Sequence, residues 1–109
     1  MLVILLSCFT LILSSVHSAH YIRLGCMKEI PGRLLRAKAG VLKLNSPWHC
    51  EQFCQGYTYF GVQYSKECFC GNQLIFPITP STACTMACEG NRLLVCGGSY
   101  AIDVYQRVP

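Results

Sequence analysis

Apolar residues crowd the start of the chain, where their pattern differs from everything that follows. Residues 2–13 are apolar except for two hydroxyl side chains, and a short polar stretch then leads to Ser18. An apolar run of this length is too short to span a bilayer and is typical of a secretory signal peptide that is cleaved after a small residue. We therefore interpret residues 1–18 as a signal peptide and residues 19–109 as one domain, with a core of about residues 20–106.

The two ends of the remaining chain alternate between apolar and polar side chains. Residues 21–26 and 100–104 show the period of two that is typical of half-buried β-strands. Residues 29–44 contain proline and glycine, which interrupt regular structure. This pattern predicts a long loop that the apolar side chains of Leu34 and Leu35 hold against the domain.

A helix is predicted to begin sharply in the middle of the chain. Ser46 is a suitable N-cap, and Pro47 fits the first helical position, where a missing N–H costs nothing. Cys50 and Cys54 follow four residues apart, so both sulfurs lie on one face of the helix. Trp48 lies about half a turn away from Cys50 and therefore points outward.

Two β-prone runs follow the helix and predict an antiparallel hairpin. They cover residues 58–64 and 67–70, and the two polar residues between them suit a tight turn. Because side chains alternate along a strand, Cys68 and Cys70 lie on one face of the hairpin and Phe69 lies on the other. If the helix cysteines bridge to the hairpin cysteines, the helix covers the cysteine face and Phe69 looks away from it.

The cysteine content indicates a domain that is stabilised covalently. The chain has nine cysteines, and Cys8 lies in the predicted signal peptide, so eight remain after cleavage. An even number at this density in an exported domain is typical of a disulfide framework. The alternative is a zinc site, because two Cys-x-x-x-Cys pairs and one Cys-x-Cys pair also suit metal ligation. The signal peptide favours disulfides, since export leads to an oxidising compartment.

Charge and side-chain chemistry exclude several classes of function. The net charge is +4, and the basic residues are scattered apart from a loose group in residues 33–43. That group could attract anionic glycans or membrane surfaces, although a solvated loop is the simpler interpretation. The histidines of the domain, His20 at its terminus and His49 on the helix, show no partner for catalysis. We expect no enzyme activity, no cofactor, no metal ion, no nucleic-acid partner and no membrane span after the signal peptide.

The residues around the cysteines resemble the WSC domain over essentially the whole chain after the signal peptide. The matching blocks are Gly25-Cys26, the Cys50-x-x-x-Cys54 helix, Glu67-Cys68-Phe69-Cys70-Gly71-Asn72, Cys84-x-x-x-Cys88 and Cys96-Gly97-Gly98. The cysteine order and these blocks are specific only in combination.

The resemblance implies a small disulfide-rich α+β domain in which one helix packs across a face of a twisted antiparallel sheet and long irregular loops complete the structure. It implies a secreted, extracellular module whose proposed role is carbohydrate binding, on glycans or cell-wall polysaccharides. The alternative is a protein–protein interaction module of the receptor-ectodomain type. The disulfides that the resemblance implies are Cys26–Cys84, Cys50–Cys68, Cys54–Cys70 and Cys88–Cys96.

Strand alternation also predicts where a ligand would bind. Sugars are held by aromatic rings together with a few polar groups, so an exposed aromatic cluster is the required feature. On the sheet face turned away from the helix, we expect a shallow hollow over Gly61. The candidate contacts there are Tyr59, Gln63, Tyr64 and Phe69. Trp48 on the helix is the rival anchor, and loops that cover the sheet face would instead make its aromatic residues part of the core.

Overall fold

The computed structural model describes residues 20–109, so the predicted signal peptide and Cys8 lie outside the described residues. It contains one antiparallel sheet of five strands in the order β1-β5-β3-β4-β2, with a single helix in the described part of the chain. The elements are β1 (Tyr21–Lys28), β2 (Lys38–Val41), α1 (Pro47–Phe53), β3 (Tyr59–Gln63), β4 (Glu67–Gly71) and β5 (Ala101–Arg107). This architecture confirms the predicted α+β class. Within residues 20–109, no helix has the length and apolar character that crossing a bilayer requires.

The helix begins where the sequence predicts. The Ser46 side chain accepts a hydrogen bond from the backbone N–H of His49 over 3.1 Å, and Pro47 occupies the first turn. This bond satisfies one of the N–H groups that a helix start leaves without a partner. The seven-residue helix is therefore defined by local chemistry at its start.

Strand β2 was not predicted, because it lies inside the segment that was interpreted as a long loop. It pairs with β4, and its Gly40 lies so close to the Phe53 ring that a Cβ atom there would be 2.7 Å from the ring. Its sequence has little β-propensity, so the strand depends on a partner that is distant in the chain. The predicted role of Leu34 and Leu35 is confirmed, since both are fully buried.

The helix face of the sheet is cross-linked to the helix. Two disulfides, Cys50–Cys68 and Cys54–Cys70, join α1 to β4. The others are Cys26–Cys84 and Cys88–Cys96, so the four are the pairs that the resemblance implied. The helix cysteines and the hairpin cysteines belong to one buried cluster, which also includes Phe60, Val62 and Tyr105.

The opposite face of the sheet is covered by loops rather than open to solvent. Leu34 and Leu35 pack there against Phe69 and the β5 side chains Ile102 and Val104. The prediction that Phe69 and the hairpin cysteines lie on opposite faces of the sheet is confirmed, because Phe69 belongs to this cluster and the cysteines belong to the cluster on the helix face. Phe69 nevertheless is only 6% exposed.

The expected hollow over Gly61 is wrong. A Cβ atom at Gly61 would lie 2.5 Å from the Cδ1 atom of Ile102, so the β5 side chain fills this space. Tyr59 is partly buried against the same cluster. The physical reason is that a small domain needs both sheet faces to bury enough apolar surface.

Candidate binding site at the hairpin turn

A cavity of about 300 Å³ lies at the end of the sheet where β3 turns into β4. We call it the turn-end cavity. It is lined by Arg33, Gln63, Tyr64, Glu67, Ser99 and Tyr100. The cavity thus combines two tyrosines with an amide, a hydroxyl, a guanidinium and a carboxylate, a mixture that is typical of sites for small polar ligands.

Strand pairing positions the amide and the free carboxylate of this cavity. Gln63 on β3 lies directly opposite Glu67 on β4. Side-chain alternation puts both residues on the face of Phe69, away from the helix. They therefore line the cavity at the point where the leucine-covered part of that face ends.

The guanidinium of Arg33 reaches the cavity from the loop after β1. Its Cζ atom lies 5.0 Å from the centre of the Phe69 ring, in a cation–π arrangement. Its Nη1 atom lies 3.5 Å from the Glu29 carboxylate. That carboxylate is held in turn by the backbone N–H groups of Ile30 and Leu34. Arg33 is therefore positioned both by an aromatic ring and by a fixed carboxylate.

A glycine pair places Tyr100 beside the hairpin turn. Gly97 has a φ of +69°, and a Cβ atom there would collide with the carbonyl oxygen of Val62. Gly98 and Ala101 exchange backbone hydrogen bonds of 2.9 and 3.3 Å, which close a tight turn with Tyr100 near its tip. The glycines thus allow a close approach of two backbone segments that no larger residue would permit.

Unfavourable backbone conformations concentrate at the cavity. Four non-glycine residues among residues 20–109 have positive φ angles, and three of them line it: Arg33 at 76°, Tyr64 at 51° and Tyr100 at 55°. Ser65, the fourth, follows Tyr64 directly. Such conformations cost about 1–2 kcal/mol for a residue with a side chain. They cluster at functional sites more often than elsewhere, because the surrounding structure must hold them there.

Two polar side chains of the cavity lack a hydrogen-bond or ion-pair partner among the described residues. Gln63 is 4% exposed, and its Oε1 atom has no hydrogen-bond partner among residues 20–109. A buried acceptor without a partner costs about 1–3 kcal/mol. The carboxylate of Glu67 takes part in none of the ion pairs formed within the described residues. The Glu67 carboxylate therefore remains able to bond a ligand, whereas the Oε1 atom of Gln63 is closed off from the cavity in this structure.

A second cavity adjoins the first. It has a volume of about 270 Å³ and shares Arg33 and Tyr100 with the turn-end cavity. Its other lining residues are Glu29, Ile30, Pro31 and Gly32. The two cavities are therefore neighbours that meet at Arg33 and at the exposed Tyr100 side chain.

Comparison with known proteins places the chain in a family. The model of the WSC domain matches residues 23–98, which include all eight disulfide-bonded cysteines and four of the six residues that line the turn-end cavity, while Ser99 and Tyr100 lie just beyond the match. The chain therefore belongs to the WSC domain family. WSC domains are non-catalytic extracellular modules, many of which bind carbohydrate.

The relatives of this WSC domain are much longer proteins. Xylosyltransferase oxt of Drosophila melanogaster is 38% identical over 96 residues, which are 83% of this chain and 11% of that protein. Its counterpart in Drosophila pseudoobscura pseudoobscura is 36% identical over 99 residues, covering 85% of this chain and 11% of that protein. A WSC domain-containing protein of Arthroderma benhamiae is 34% identical over 90 residues, covering 77% and 12%. The chain thus spans about a tenth of the length of these relatives, and the match does not extend the xylosyltransferase activity to it.

The structure brings together only part of the predicted ligand set. Gln63 and Tyr64 line the turn-end cavity, whereas Tyr59 and Phe69 pack in the core beneath it. Trp48 is 55% exposed on the outer side of the helix and does not line the cavity. Whether any of these residues contacts a ligand stays a prediction.

Sequence reasoning missed four lining residues: Arg33, Glu67, Ser99 and Tyr100. The only local signal was the Gly97-Gly98 pair before the last strand, which is typical of a tight turn. That signal indicates a turn but does not say what the turn packs against.

Clusters of metal-ligating residue types do occur in the described part of this WSC domain. One combines Cys50, Cys54 and Cys68, and the other combines Cys26 and Cys84 with Asp103. All of these cysteines are in disulfides, so they have no thiolate to offer a metal ion.

Proposed function

We propose that this WSC domain is a secreted, non-catalytic module that binds carbohydrate in the turn-end cavity. The observation that carries the proposal is the pair of exposed tyrosines, Tyr64 and Tyr100, which are 46% and 79% exposed beside the Glu67 carboxylate. Aromatic rings stack on the apolar faces of sugar rings, and amides and carboxylates bond their hydroxyl groups. Sugar hydroxyls donate hydrogen bonds to carboxylates, so they suit the partly exposed Glu67 side chain.

The adjoining cavity supports a ligand of more than one sugar unit. Both cavities lie against Arg33 and Tyr100, so neighbouring sugars of one chain could occupy the two of them together. Glycans and cell-wall polysaccharides are therefore better candidates than free monosaccharides.

Secretion is part of this proposal. All eight cysteines among the described residues are paired in disulfides, which persist in oxidising compartments. The apolar pattern of residues 1–18 is that of a signal peptide, so we propose removal of these residues and an extracellular product that begins at Ala19.

A glycan array followed by single substitutions tests the proposal. Binding should be specific and competed by the soluble form of the same sugar. Tyr64→Ala and Tyr100→Ala should each weaken it about fivefold to tenfold, since an aromatic contact contributes about 1 kcal/mol. Phe76→Ala is the matched control, because Phe76 is as exposed as Tyr100 but lines neither cavity.

Trp48→Ala separates the two candidate anchors. If this variant alone abolishes binding while both tyrosine variants bind normally, the site lies on the helix and not in the turn-end cavity. Each variant should first show the thermal transition of the unmodified domain, so that loss of binding is not loss of folding.

A protein partner is the second candidate function, and one surface feature favours it. Leu93 is 92% exposed in the loop that the Cys88–Cys96 disulfide closes. The next two residues, Leu94 and Val95, are each 43% exposed, and contiguous exposed apolar side chains are typical of protein interaction sites. Specific, saturable binding to an extracellular protein that Leu93→Asp abolishes, with no binding to the glycan array, would favour this function over carbohydrate binding.

A further inference from the structure

The charges around the turn-end cavity differ from the charge of the whole chain. The chain carries a net charge of +4, yet the cavity has one cation, Arg33, and that cation is already paired with the Glu29 carboxylate. The carboxylate of Glu67 forms no such pair within residues 20–109. The cavity therefore has one uncompensated charge, and it is negative.

We propose that Glu67 selects the sugars that bind in the turn-end cavity by their charge, favouring those that carry an amine and excluding those that carry a carboxylate or a sulfate. This inference rests on the proposed carbohydrate function. It names one residue as the determinant of specificity, and it is the opposite of what the basic net charge alone suggests.

The position of Glu67 makes its charge effective. The residue is half-buried at the start of β4, opposite the buried Gln63. Its backbone carbonyl accepts a hydrogen bond of 3.2 Å from the Asn45 side chain, so the strand end is held in place. A charge at the rim of a partly enclosed cavity interacts more strongly than one in open water, because less solvent screens it.

Three of the basic residues are held away from the cavity by other contacts. Lys38 lies over the Phe53 ring, with its Nζ atom 4.1 Å from the ring centre, on the helix face. Arg23 and Arg107 bond acidic side chains on that same face. Lys66 precedes Glu67 in the chain but does not line the cavity. Arg33 is therefore the only cation among the residues that line the turn-end cavity.

Two matched pairs of probes test the selection. The first pair is the hexamers of glucosamine and of N-acetylglucosamine, which differ in the charge at the amine when measured at a mildly acidic pH. The second pair is laminarin and its C6-carboxylated derivative. We expect the glucosamine hexamer to bind about tenfold more tightly than its acetylated form, and laminarin to bind about tenfold more tightly than its carboxylated form.

The variant Glu67→Gln should reduce both ratios to near one while the domain stays folded. Glu89→Gln is the control, because Glu89 is exposed, lies outside both cavities and loses the same charge. This control should keep the ratios of the unmodified domain, so an effect of net charge alone is separated from an effect at the site.

Three results would overturn the inference in distinguishable ways. Tighter binding of the carboxylated laminarin, or ratios that Glu67→Gln leaves unchanged, would refute charge selection while carbohydrate binding stands. Equal changes in the Glu67→Gln and Glu89→Gln variants would show that net charge decides. Failure of all four probes, together with failure on the glycan array, would refute the proposed function and this inference with it.

Discussion

The two faces of the sheet are stabilised in different ways. On the helix face, two disulfides join α1 to β4, and aromatic and aliphatic side chains fill the space between them. On the opposite face, Leu34 and Leu35 from a loop pack on Phe69, Ile102 and Val104 with no disulfide in that cluster of described residues. The turn-end cavity lies at the edge of this second face. The domain therefore combines a covalently fixed face with a candidate binding face that only packing and backbone geometry hold.

The largest expected effect on stability comes from reducing the disulfides. Full reduction should unfold the domain, because the Cys26–Cys84 disulfide alone closes a loop of 58 positions and contributes about 4 kcal/mol through the entropy of the unfolded chain. A small domain has a total stability of about 5–15 kcal/mol, so losing four such links exceeds what its core can replace. Circular dichroism on heating, before and after reduction, measures the change. An unaltered transition in a sample shown by mass to be fully alkylated would contradict this expectation.

The packed face should respond strongly to the loss of a single leucine. Leu35→Ala removes a fully buried side chain from this cluster and should cost about 2–5 kcal/mol, measured by guanidinium unfolding with the disulfides intact. Leu44→Ala is the matched control, since Leu44 is exposed and should change the free energy of unfolding by about 0.5 kcal/mol or less. Equal effects of the two substitutions would show that the loop does not stabilise this face.

A smaller effect is expected from alkaline pH, and it acts on the helix face. Burial raises the pKa of Tyr105 to about 12, and the nearby Asp103 carboxylate adds to the rise. An unfolded tyrosine ionises near pH 10, so the neutral hydroxyl stabilises the fold below about pH 10 and this stabilisation is lost as the pH rises toward about 12. The free energy of unfolding should therefore fall across this window.

The variant Tyr105→Phe should remove most of that pH dependence, because it leaves no hydroxyl to ionise at this position. Rapid urea unfolding at about pH 9 and about pH 11 measures the difference before hydroxide attacks the disulfides. Burial also raises the pKa of Tyr21, which packs on the same face. If the free energy of unfolding of Tyr105→Phe still falls with pH, the further substitution Tyr21→Phe tests whether Tyr21 is the cause. If the free energy of unfolding depends on pH as strongly in Tyr105→Phe, and in the double variant with Tyr21→Phe, as in the unmodified domain, the ionisation of other groups is responsible.

The smallest effect on stability should come from a substitution in the turn-end cavity. Tyr100→Asn replaces an exposed tyrosine at a φ of 55° by a residue that tolerates this conformation better. We expect the free energy of unfolding to stay constant or to rise by up to about 1 kcal/mol, while glycan binding weakens about tenfold. Such opposite changes would show that the Tyr100 ring serves binding and not stability. A loss of stability above about 1 kcal/mol would instead assign the ring a structural role.

Local sequence patterns predicted the elements that depend on neighbouring residues. The capped helix at Ser46 and the opposite faces of Cys68 and Phe69 follow from contacts within a few residues. Strand β2 escaped prediction because its four residues have little β-propensity and form a strand only when β4 is beside them. The sequence is compatible both with an open hollow on the sheet face and with a sheet face that loops cover, and it offers no way to decide between them.

The sequence by itself thus determined the disulfide-rich character of the domain, the helix and the opposite faces of the hairpin side chains, because these follow from spacing and from alternation along the chain, while the resemblance to the WSC domain implied the α+β class. Only the tertiary structure decided where the candidate binding cavity lies. It closed the space over Gly61 with Ile102 and brought Arg33, Gln63 and Tyr100 to one cavity from three distant segments. The reason is physical: side-chain direction is a local property, whereas the space left between packed segments depends on all of them together.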